Sequence, residues 1–310
     1  MTAAALAPLG GWLVDLAGGD PRRGHPVALY GELADRLEQR IWRDRRSAGV
    51  AYATALVAAP TLLTAAAQQH LSPRSRTLLL VAVTWAALGG RSLTREATAV
   101  GNAVAAGDLD TARRRLPALV GRDPTGLGGP ELCRAAVESV AENTADAVVA
   151  PLVYAALAGP AGVVAHRCAN TLDAMVGHRC ARYGRFGWAA ARLDDVLGWL
   201  PARATALLAA ACAPAVGGQP RRALAVCRRD GRAHPSPNAG RCEAAFAGAL
   251  GVRLGGTNHY SDHVEVRGPH GDGPAPDPAD VGRAVTLSRL VGLAGALLAA
   301  GLIAARGHAV

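Results

Sequence analysis

The sequence of 310 residues contains no lysine, so its formal charge of +9 comes entirely from an excess of arginine. Without lysine, the chain cannot form a P-loop, a Schiff base or a lysine general base. Aromatic residues make up only 4% of the chain. There is no basic helix with interleaved aromatics, which argues against nucleic-acid binding. An arginine excess is also typical of proteins that meet anionic lipid or phosphorylated substrates.

Common metal-binding patterns are missing as well. The six cysteines form no C-x-x-C pair, and the histidines form no H-E-x-x-H helix motif. We therefore assign no zinc or iron–sulfur site. Several cysteines lie in apolar runs, where the thiol behaves as a small hydrophobe. We interpret all six as reduced and structural.

Long apolar runs are abundant, and half of the residues are hydrophobic. Residues 48–67 and 285–305 match the roughly 20 residues that cross a bilayer. Three weaker runs lie at 77–90, at 145–164 and at 201–218, and buried helices of a soluble protein remain an alternative for the first and last of these. Because alanine and leucine supply most of the hydrophobicity, we predict an all-α, polytopic integral membrane protein.

Arginine placement predicts orientation and domain organisation. The segments 22–46 and 91–122 are rich in arginine, and the positive-inside rule places them in the cytoplasm. Residues 219–283 are also arginine-rich, with many Gly, Pro, His and Asp residues. We expect one membrane-embedded domain over 1–310, with a polar loop region at about 219–284.

An acidic stripe is the most informative polar feature. Arg134, Glu138, Glu142 and Asp146 recur every four residues, so a helix presents them on one face. Acids that lead directly into an apolar segment are costly unless a cation meets them. Magnesium or an arginine cluster would supply that cation. The alternative interpretation is an exposed helix face with an Arg134–Glu138 ion pair.

Three further polar clusters follow along the chain. Asn170 and Asp173 share a helix face at a spacing of three residues. The pair Asp194-Asp195 carries the oxygen ligands that magnesium prefers, although paired Asp is also common at helix caps. The stretch 236–240 reads Ser-Pro-Asn-Ala-Gly and is followed by Glu243 and by Gly255-Gly256-Thr-Asn258. The small residues and amides of this cluster would let backbone N–H groups approach a phosphate. Ordinary turn chemistry is the alternative there.

Several of these motifs together resemble the cobalamin-biosynthesis CobD/CbiB family. The matching stretches are Gly19-Asp-Pro, His25-Pro-Val, Gly121-Arg-Asp, Glu138-Ser-Val-Ala-Glu-Asn-Thr, Asn170-Thr-Leu-Asp-Ala-Met-Val-Gly, Phe186-Gly-Trp-Ala-Ala-Ala-Arg-Leu-Asp-Asp-Val, Pro201-Ala-Arg, Ser236-Pro-Asn-Ala-Gly and Gly248-Ala-Leu-Gly-Val-Arg-Leu-Gly-Gly. They cover nearly the whole chain in order. The chain departs from the family pattern at Gly198, where asparagine is expected, and at Arg241-Cys242, where Tyr-Pro is common. We expect these departures to affect substrate preference rather than the reaction.

The resemblance implies a ligase of the cytoplasmic membrane whose active site faces the cytoplasm. Adenosylcobyric acid and (R)-1-amino-2-propanol O-phosphate, or a related aminoalcohol phosphate, are the expected substrates, and ATP and Mg²⁺ the expected cofactors. The product would be adenosylcobinamide phosphate. Other corrinoid-pathway enzymes or a second copy of the chain are possible partners.

On this basis we assign roles to individual residues. Candidates for catalysis are Glu138, Glu142 and Asp173. Candidates for ATP or phosphate contact are Arg122, Asn143, Asn170, Arg192, Ser236 and Asn238. Candidates for magnesium are Glu142, Asp146, Asp194 and Asp195.

Two alternative functions come from other classes. One is a membrane sensor or regulator resembling the AmpE proteins, against which the many retained acidic and asparagine motifs argue. The other is a small-molecule transporter. Many transporters are built from inverted repeats, and we see no such repeat in the sequence.

One topological conflict remains between the acidic motifs. A full crossing at 145–164 would place Glu138 and Asp173 on opposite sides of the membrane, although ATP is cytoplasmic. Gly159-Pro160 resolves the conflict if the segment enters and returns as two half-helices, because proline breaks the helix and glycine permits a sharp reversal. A true crossing, compensated by another span, is the alternative.

Overall fold

The computed structural model of the protein describes residues 3–21, 24–178, 180–260 and 264–307. Thirteen α-helices and one antiparallel hairpin make up this described part, which confirms the predicted all-α fold. The helices are Ala7–Gly18 (α1), Pro26–Ile41 (α2), Arg46–Gln69 (α3), Pro73–Ala87 (α4), Gly90–Ala105 (α5), Leu109–Arg115 (α6), Gly129–Thr144 (α7), Ala150–Val176 (α8), Trp188–Leu197 (α9), Trp199–Cys212 (α10), Pro220–Asp230 (α11), Ala239–Leu250 (α12) and Pro278–Gly307 (α13). A π-helical segment, Ala145–Val149, follows α7, and the strands are Leu254–His259 (β1) and Val264–His270 (β2).

Five helical segments in the described ranges are long and apolar enough to cross a membrane, and they confirm a multi-pass membrane protein. These segments are Arg46–Gln69, Pro73–Ala105, Gly129–Val176, Trp199–Val216 and Pro278–Arg306. Their outer faces carry exposed leucines such as Leu63, at 71% exposure, and Leu207, at 62%. Apolar faces of this kind suit contact with lipid.

Local sequence signals account for several helix starts. Ser72 accepts a hydrogen bond from the Ser75 amide, and Asp108 accepts one from the Thr111 amide, as N-caps do. His25 caps α2 through Nδ1, directly before a proline at the first helical position. These caps fix where the helices begin, while tertiary packing decides what they bury.

The chain forms two compact units. Unit 1 contains Met1–Gly89, Ala150–Gly198 and Gly295–Val310, and unit 2 contains Gly90–Val149 and Trp199–Ala294. The division interleaves the two units along the sequence. The expectation of a single domain over 1–310 stays a prediction.

Unit 1 is built around an aromatic cluster between α2, α3, α8 and α9. The rings of Tyr52 and Phe186 lie 5.0 Å apart and pack against Leu172 and Val176. Gly49 lets α3 approach closely here, because a Cβ at this position would overlap the Phe186 carbonyl. The hydroxyl of Tyr52 donates to Ala34 O at 3.2 Å, so the buried phenol is satisfied.

Within unit 1, α8 reverses direction at Gly159, whose φ of 63° and ψ of −155° are not helical. The rings of Tyr154 and His166 stack at 5.2 Å, although twelve residues of straight helix would separate them by about 18 Å. Arg306 donates to Ala156 O at 2.7 Å and thereby satisfies a carbonyl that the break frees. The two predicted half-helices are therefore present. Their re-entry into the membrane stays a prediction.

Helix α12 forms the core of unit 2, and all of its residues except Arg241 are buried. Helices α10 and α11 both pack against it. Gly248 permits the close approach of α11, since a Cβ there would lie 2.7 Å from Ala223 Cα. The region 219–284, predicted as a polar loop, thus holds α11, α12 and the β1–β2 hairpin.

Candidate functional site

A buried charge network in unit 2 surrounds Glu138 of α7. Its Oε2 accepts a hydrogen bond from Arg122, and its Oε1 accepts one from the Gly255 amide at 2.8 Å. Arg134 lies 3.4 Å from Oε1 and also donates to the Gly255 carbonyl. Arg122 in turn donates to Asn258 Oδ1. Glu138 is only 1% exposed, so this network joins α7 to the hairpin.

The Arg134–Glu138 ion pair proposed as an alternative to a functional stripe is therefore present, but it is buried rather than exposed. Both oxygens of Glu138 are engaged by donors of the protein itself. This geometry favours a positioning role for Glu138. Its predicted catalytic role is untested.

Glu142 and Asp146 continue the stripe and are half-buried. Glu142 lies close enough to Tyr260 and Arg267 of the hairpin region to interact with them electrostatically. Asp146 lies in the π-helical segment, a local irregularity that is frequent at functional sites. Glu142 therefore lies within electrostatic reach of positive charge on the hairpin.

Asn143 lies beside Glu142, and its Nδ2 donates to Ser139 O at 3.0 Å on the same helix. Its side chain is half-buried. The assignment of Asn143 to ATP contact stays a prediction.

A second buried cluster in unit 2 centres on Glu243 of α12. His270 donates from Nδ1 to Glu243 Oε2 at 3.1 Å, and Arg267 lies 3.4 Å from Oε1. His234 Nε2 lies 3.7 Å from the same Oε1. Burial alone would raise the pKa of Glu243, but the His270 hydrogen bond and the charges of His234 and Arg267 outweigh it and lower that pKa.

The partners of Glu243 also have shifted pKa values. Burial lowers the pKa of His234, although Glu243 opposes the shift. For Arg267, burial works against the charged form, but Glu243, Tyr260 and Glu265 outweigh it and raise the pKa above its ordinary value. Arg267 donates to Tyr260 Oη at 3.1 Å and to Glu265 at 3.0 Å. It is therefore a permanently charged group within electrostatic reach of Glu142.

The Ser-Pro-Asn-Ala-Gly stretch forms the turn before α12. Ser236 Oγ accepts from the amides of Asn238 and Ala239 at 3.3 Å and 3.2 Å. Asn238 is 7% exposed, and its Oδ1 accepts from Arg203 at 2.9 Å. These contacts are ordinary turn and capping chemistry, which was the alternative interpretation. Phosphate contact by Ser236 and Asn238 stays a prediction.

The other candidates lie in unit 1. Asn170 Nδ2 donates to Asp194 Oδ1 at 3.3 Å and so joins α8 to α9. Arg192 pairs with Asp195 at 3.1 Å, three residues along α9. Asp173 lies one helical turn after Asn170 and is half-buried. The structure thus brings the Asn170 and Asp194-Asp195 motifs together.

The predicted residues therefore form two groups. Unit 2 holds Arg122, Glu138, Glu142, Asn143, Asp146, Ser236 and Asn238, and unit 1 holds Asn170, Asp173, Arg192, Asp194 and Asp195. No three His, Cys, Asp or Glu side chains in the described residues are arranged to hold a metal ion by themselves. The magnesium assignments stay predictions, and so does the idea of one site for all the acidic motifs.

Sequence reasoning assigned no role to the residues that the hairpin and its neighbours contribute. These are His234, Glu243, Tyr260, Arg267 and His270. They are scattered over the stretch predicted as a polar loop. The only signal in the sequence was that Glu243 follows Asn238 by about one and a half helical turns. Its importance becomes visible only in the structure, where Glu243 contacts Arg267 and His270 of β2.

Comparison with known proteins places these features in a family context. The family model described as CobD/Cbib protein matches residues 8–288, which include both groups of candidate residues. No solved structure matches the chain.

Curated relatives match over almost the same extent. A cobalamin biosynthesis protein CobD of Mycobacterium tuberculosis (strain ATCC 25618 / H37Rv) is 54% identical over 300 residues, 96% of each chain. Proteins of the same name from Rhodobacter capsulatus and Geobacter metallireducens are each 43% identical and cover 94% and 84% of this chain. The family model covers every predicted motif, and together with these relatives it leads to one conclusion: this chain belongs to the CobD/CbiB family.

Proposed function

We propose that this chain is a membrane-integrated enzyme of cobalamin biosynthesis that forms an amide bond. It would join the carboxylate of adenosylcobyric acid to the amine of (R)-1-amino-2-propanol O-phosphate, or a related aminoalcohol phosphate, and consume ATP. Family membership and the names of the relatives support the pathway. The specific reaction rests on the resemblance of the motifs and on the chemistry of the polar residues in unit 2.

The observation that carries the proposal is the electrostatic interaction of half-buried Glu142, on α7, with Arg267, which acidic partners keep charged. Glu142 and Asp146 supply hard oxygen donors four residues apart, and Glu142 lies within electrostatic reach of Arg267. Mg²⁺ is usually bound through one or two protein carboxylates together with substrate phosphates and water. Two acids are therefore enough for a magnesium–ATP site that has no three-ligand cage.

The residues of unit 2 fit the charge demands of carboxylate activation. A carboxylate must be activated, as an acyl phosphate for example, before an amine can displace an oxygen; bound ATP supplies this activation. Arg267, kept charged by Glu243 and Glu265, would stabilise negative charge on phosphate oxygens. Arg122 is committed to Glu138 and Asn258, so we assign it to holding the hairpin in place.

Location follows from the same chemistry. ATP is a cytoplasmic substrate, so we propose that Glu142 and Asp146 face the cytoplasm from the cytoplasmic membrane. The acids of unit 1, Asp173, Asp194 and Asp195, remain candidates for the base and for further magnesium contact.

The test is an assay of the detergent-purified protein with adenosylcobyric acid, ATP, Mg²⁺ and the aminoalcohol phosphate, with the amide product identified by mass. The E142Q and D146N variants should each lose turnover by about 100-fold or more, as expected for electrostatic groups at a reacting centre. Glu131 lies on the same helix and caps its start at Gly128, so E131Q is the matched control and should keep most of its activity.

Three outcomes would count against the proposal. If the wild-type protein binds the substrates but forms no ATP-dependent amide, the ligase assignment is wrong. A membrane sensor or a transporter would behave in this way. Near-normal turnover of E142Q would remove Glu142 from the site. Equal losses in E131Q and E142Q would show that the effect is structural.

A further inference from the structure

Helix α11 presents a row of arginines on its exposed face. Arg221 and Arg228 are exposed and lie seven residues apart, so they share one side of the helix, with exposed Ala225 between them. Arg232 follows just after the helix end and is also exposed. The opposite face is buried against α10 and α12, and its buried residues are Ala223, Val226 and Cys227. The arginine row therefore has no role in the packing of unit 2.

Neighbouring arginines on α11 have acidic partners. Arg222 lies 3.0 Å from Asp272, and Arg229 lies 2.6 Å from Asp230 and 3.6 Å from Asp272. By contrast, no hydrogen bond or ion pair to Arg221, Arg228 or Arg232 is found among residues 3–21, 24–178, 180–260 and 264–307. The patch of five arginines and two aspartates thus carries a net positive charge with three uncompensated guanidinium groups.

The position of α11 places this charge near the end of membrane-crossing segments. Three residues separate the end of the candidate span Trp199–Val216 from Pro220, which keeps the start of α11 within roughly 15 Å of the span end. Arg283, near the start of the candidate span Pro278–Arg306, donates to Val216 O at 3.0 Å. The ends of these two candidate spans therefore meet close to the start of α11.

We propose that the exposed arginine face of α11, formed by Arg221, Arg228 and Arg232, binds the phosphate groups of anionic phospholipids at the membrane surface. Guanidinium groups suit phosphate because they donate two parallel hydrogen bonds. Basic clusters directly beside a membrane-spanning helix recognise anionic headgroups in this way. The face lacks the interleaved aromatics that single-stranded nucleic acid would need. Its three arginines are exposed, as suits contact with a membrane surface rather than enclosure of a free phosphate. This inference does not depend on the proposed reaction.

The test uses a local probe on the same face. In a background without the six native cysteines, Ala225→Cys is labelled with an environment-sensitive dye, and the protein is reconstituted into phosphatidylcholine nanodiscs with increasing phosphatidylglycerol. We expect the dye signal to saturate with phosphatidylglycerol and to be reversed by salt. The R221Q/R228Q/R232Q variant should need at least about five-fold more phosphatidylglycerol for half-saturation, which is the loss expected from even one arginine.

Two matched variants separate charge from structure. R221K/R228K/R232K should keep most of the response, because lysine retains the charge. R114Q/R115Q removes two exposed arginines from α6 of the same unit and should leave the Ala225 probe unchanged. If the cysteine-free protein does not fold, native mass spectrometry of the wild type and the triple variant gives the same comparison through retained phosphatidylglycerol.

Three results would overturn the proposal. The first is an identical dye signal in phosphatidylcholine and phosphatidylglycerol. The second is an equal response of the triple variant and the wild type. The third is saturation by inorganic phosphate in detergent without lipid, which would identify a soluble-phosphate site instead.

Discussion

The Glu138 network predicts that the charge of this residue supports folding more than chemistry. Glu138 and Arg122 are 1% and 5% exposed, and two further donors, the Gly255 amide and Arg134, meet the same carboxylate. The substitution E138Q removes the charge but keeps the shape and one oxygen acceptor. It leaves the Arg122 guanidinium buried without its counter-charge.

The expected cost follows from that burial. Breaking a buried ion pair by removing one partner costs about 3–5 kcal/mol. Because glutamine keeps one acceptor for the Gly255 amide, we take the lower end, about 3 kcal/mol. With an unfolding entropy of about 2.1 cal/mol/K per residue, that corresponds to a fall in Tm of roughly 5 °C for a chain of this size. The hairpin at 254–270 should become sensitive to protease, since the network holds it on α7.

The assay is thermal unfolding of the detergent-solubilised protein, combined with limited proteolysis. E142Q is the comparison, because Glu142 is half-buried on the same helix and should lower activity with little loss of Tm. In the double variant R122Q/E138Q the destabilisation should be smaller than the sum of the single effects by about 1 kcal/mol or more, because the two side chains interact directly. An E138Q protein with wild-type Tm and a protected hairpin would refute this reasoning.

Three further predictions test other parts of the structure. Cysteines placed at Val153 and Ala174 should be labelled from the same face of the membrane, because α8 reverses at Gly159; labelling from opposite faces would contradict a re-entrant hairpin. R306A should lower Tm by a few degrees, since it leaves freed carbonyls unsatisfied, whereas R306K should lower it less; equal Tm values for R306A and wild type would show that this contact adds nothing. Burial lowers the pKa of His234, so this histidine takes up a proton more readily in the unfolded protein than in the folded one. The stability that His234 contributes is therefore complete above about pH 6.5 and declines as the pH falls below that value. The H234Q variant should lack this decline in Tm. The carboxyl group of Glu243 has a lowered pKa, so its stabilising contribution is lost only at more acidic pH, as it becomes protonated.

The sequence alone was sufficient for the class of the protein. Apolar runs such as 48–67 and 285–305 have too few polar residues for a helix that faces water, and α3 and α13 contain them. The family also followed from the sequence, because long motifs in a fixed order are specific. The acidic stripe was predicted as a helix face, and Glu138 and Glu142 do lie on α7.

What the sequence could not decide was which acids are fully enclosed by the protein and which stay partly exposed. Glu138 and Glu142 are one turn apart and alike in pattern, yet the first is enclosed by Arg122 and the Gly255 amide, while the second is half-buried beside Arg267. That difference comes from a hairpin more than a hundred residues away along the chain. Helical periodicity describes only neighbours within a few turns.

The same reason explains the missed Glu243 cluster and the two half-helices of α8. Gly159-Pro160 signalled a break, but the stacking of Tyr154 on His166 depends on how the chain packs after the break. His234, Glu243 and His270 gain meaning only when α12 and β2 lie side by side. Short-range pattern therefore determined the elements and their membrane character, whereas the pairing of charges depended on contacts between distant segments, because a buried charge is stabilised by whichever partner the tertiary fold places next to it.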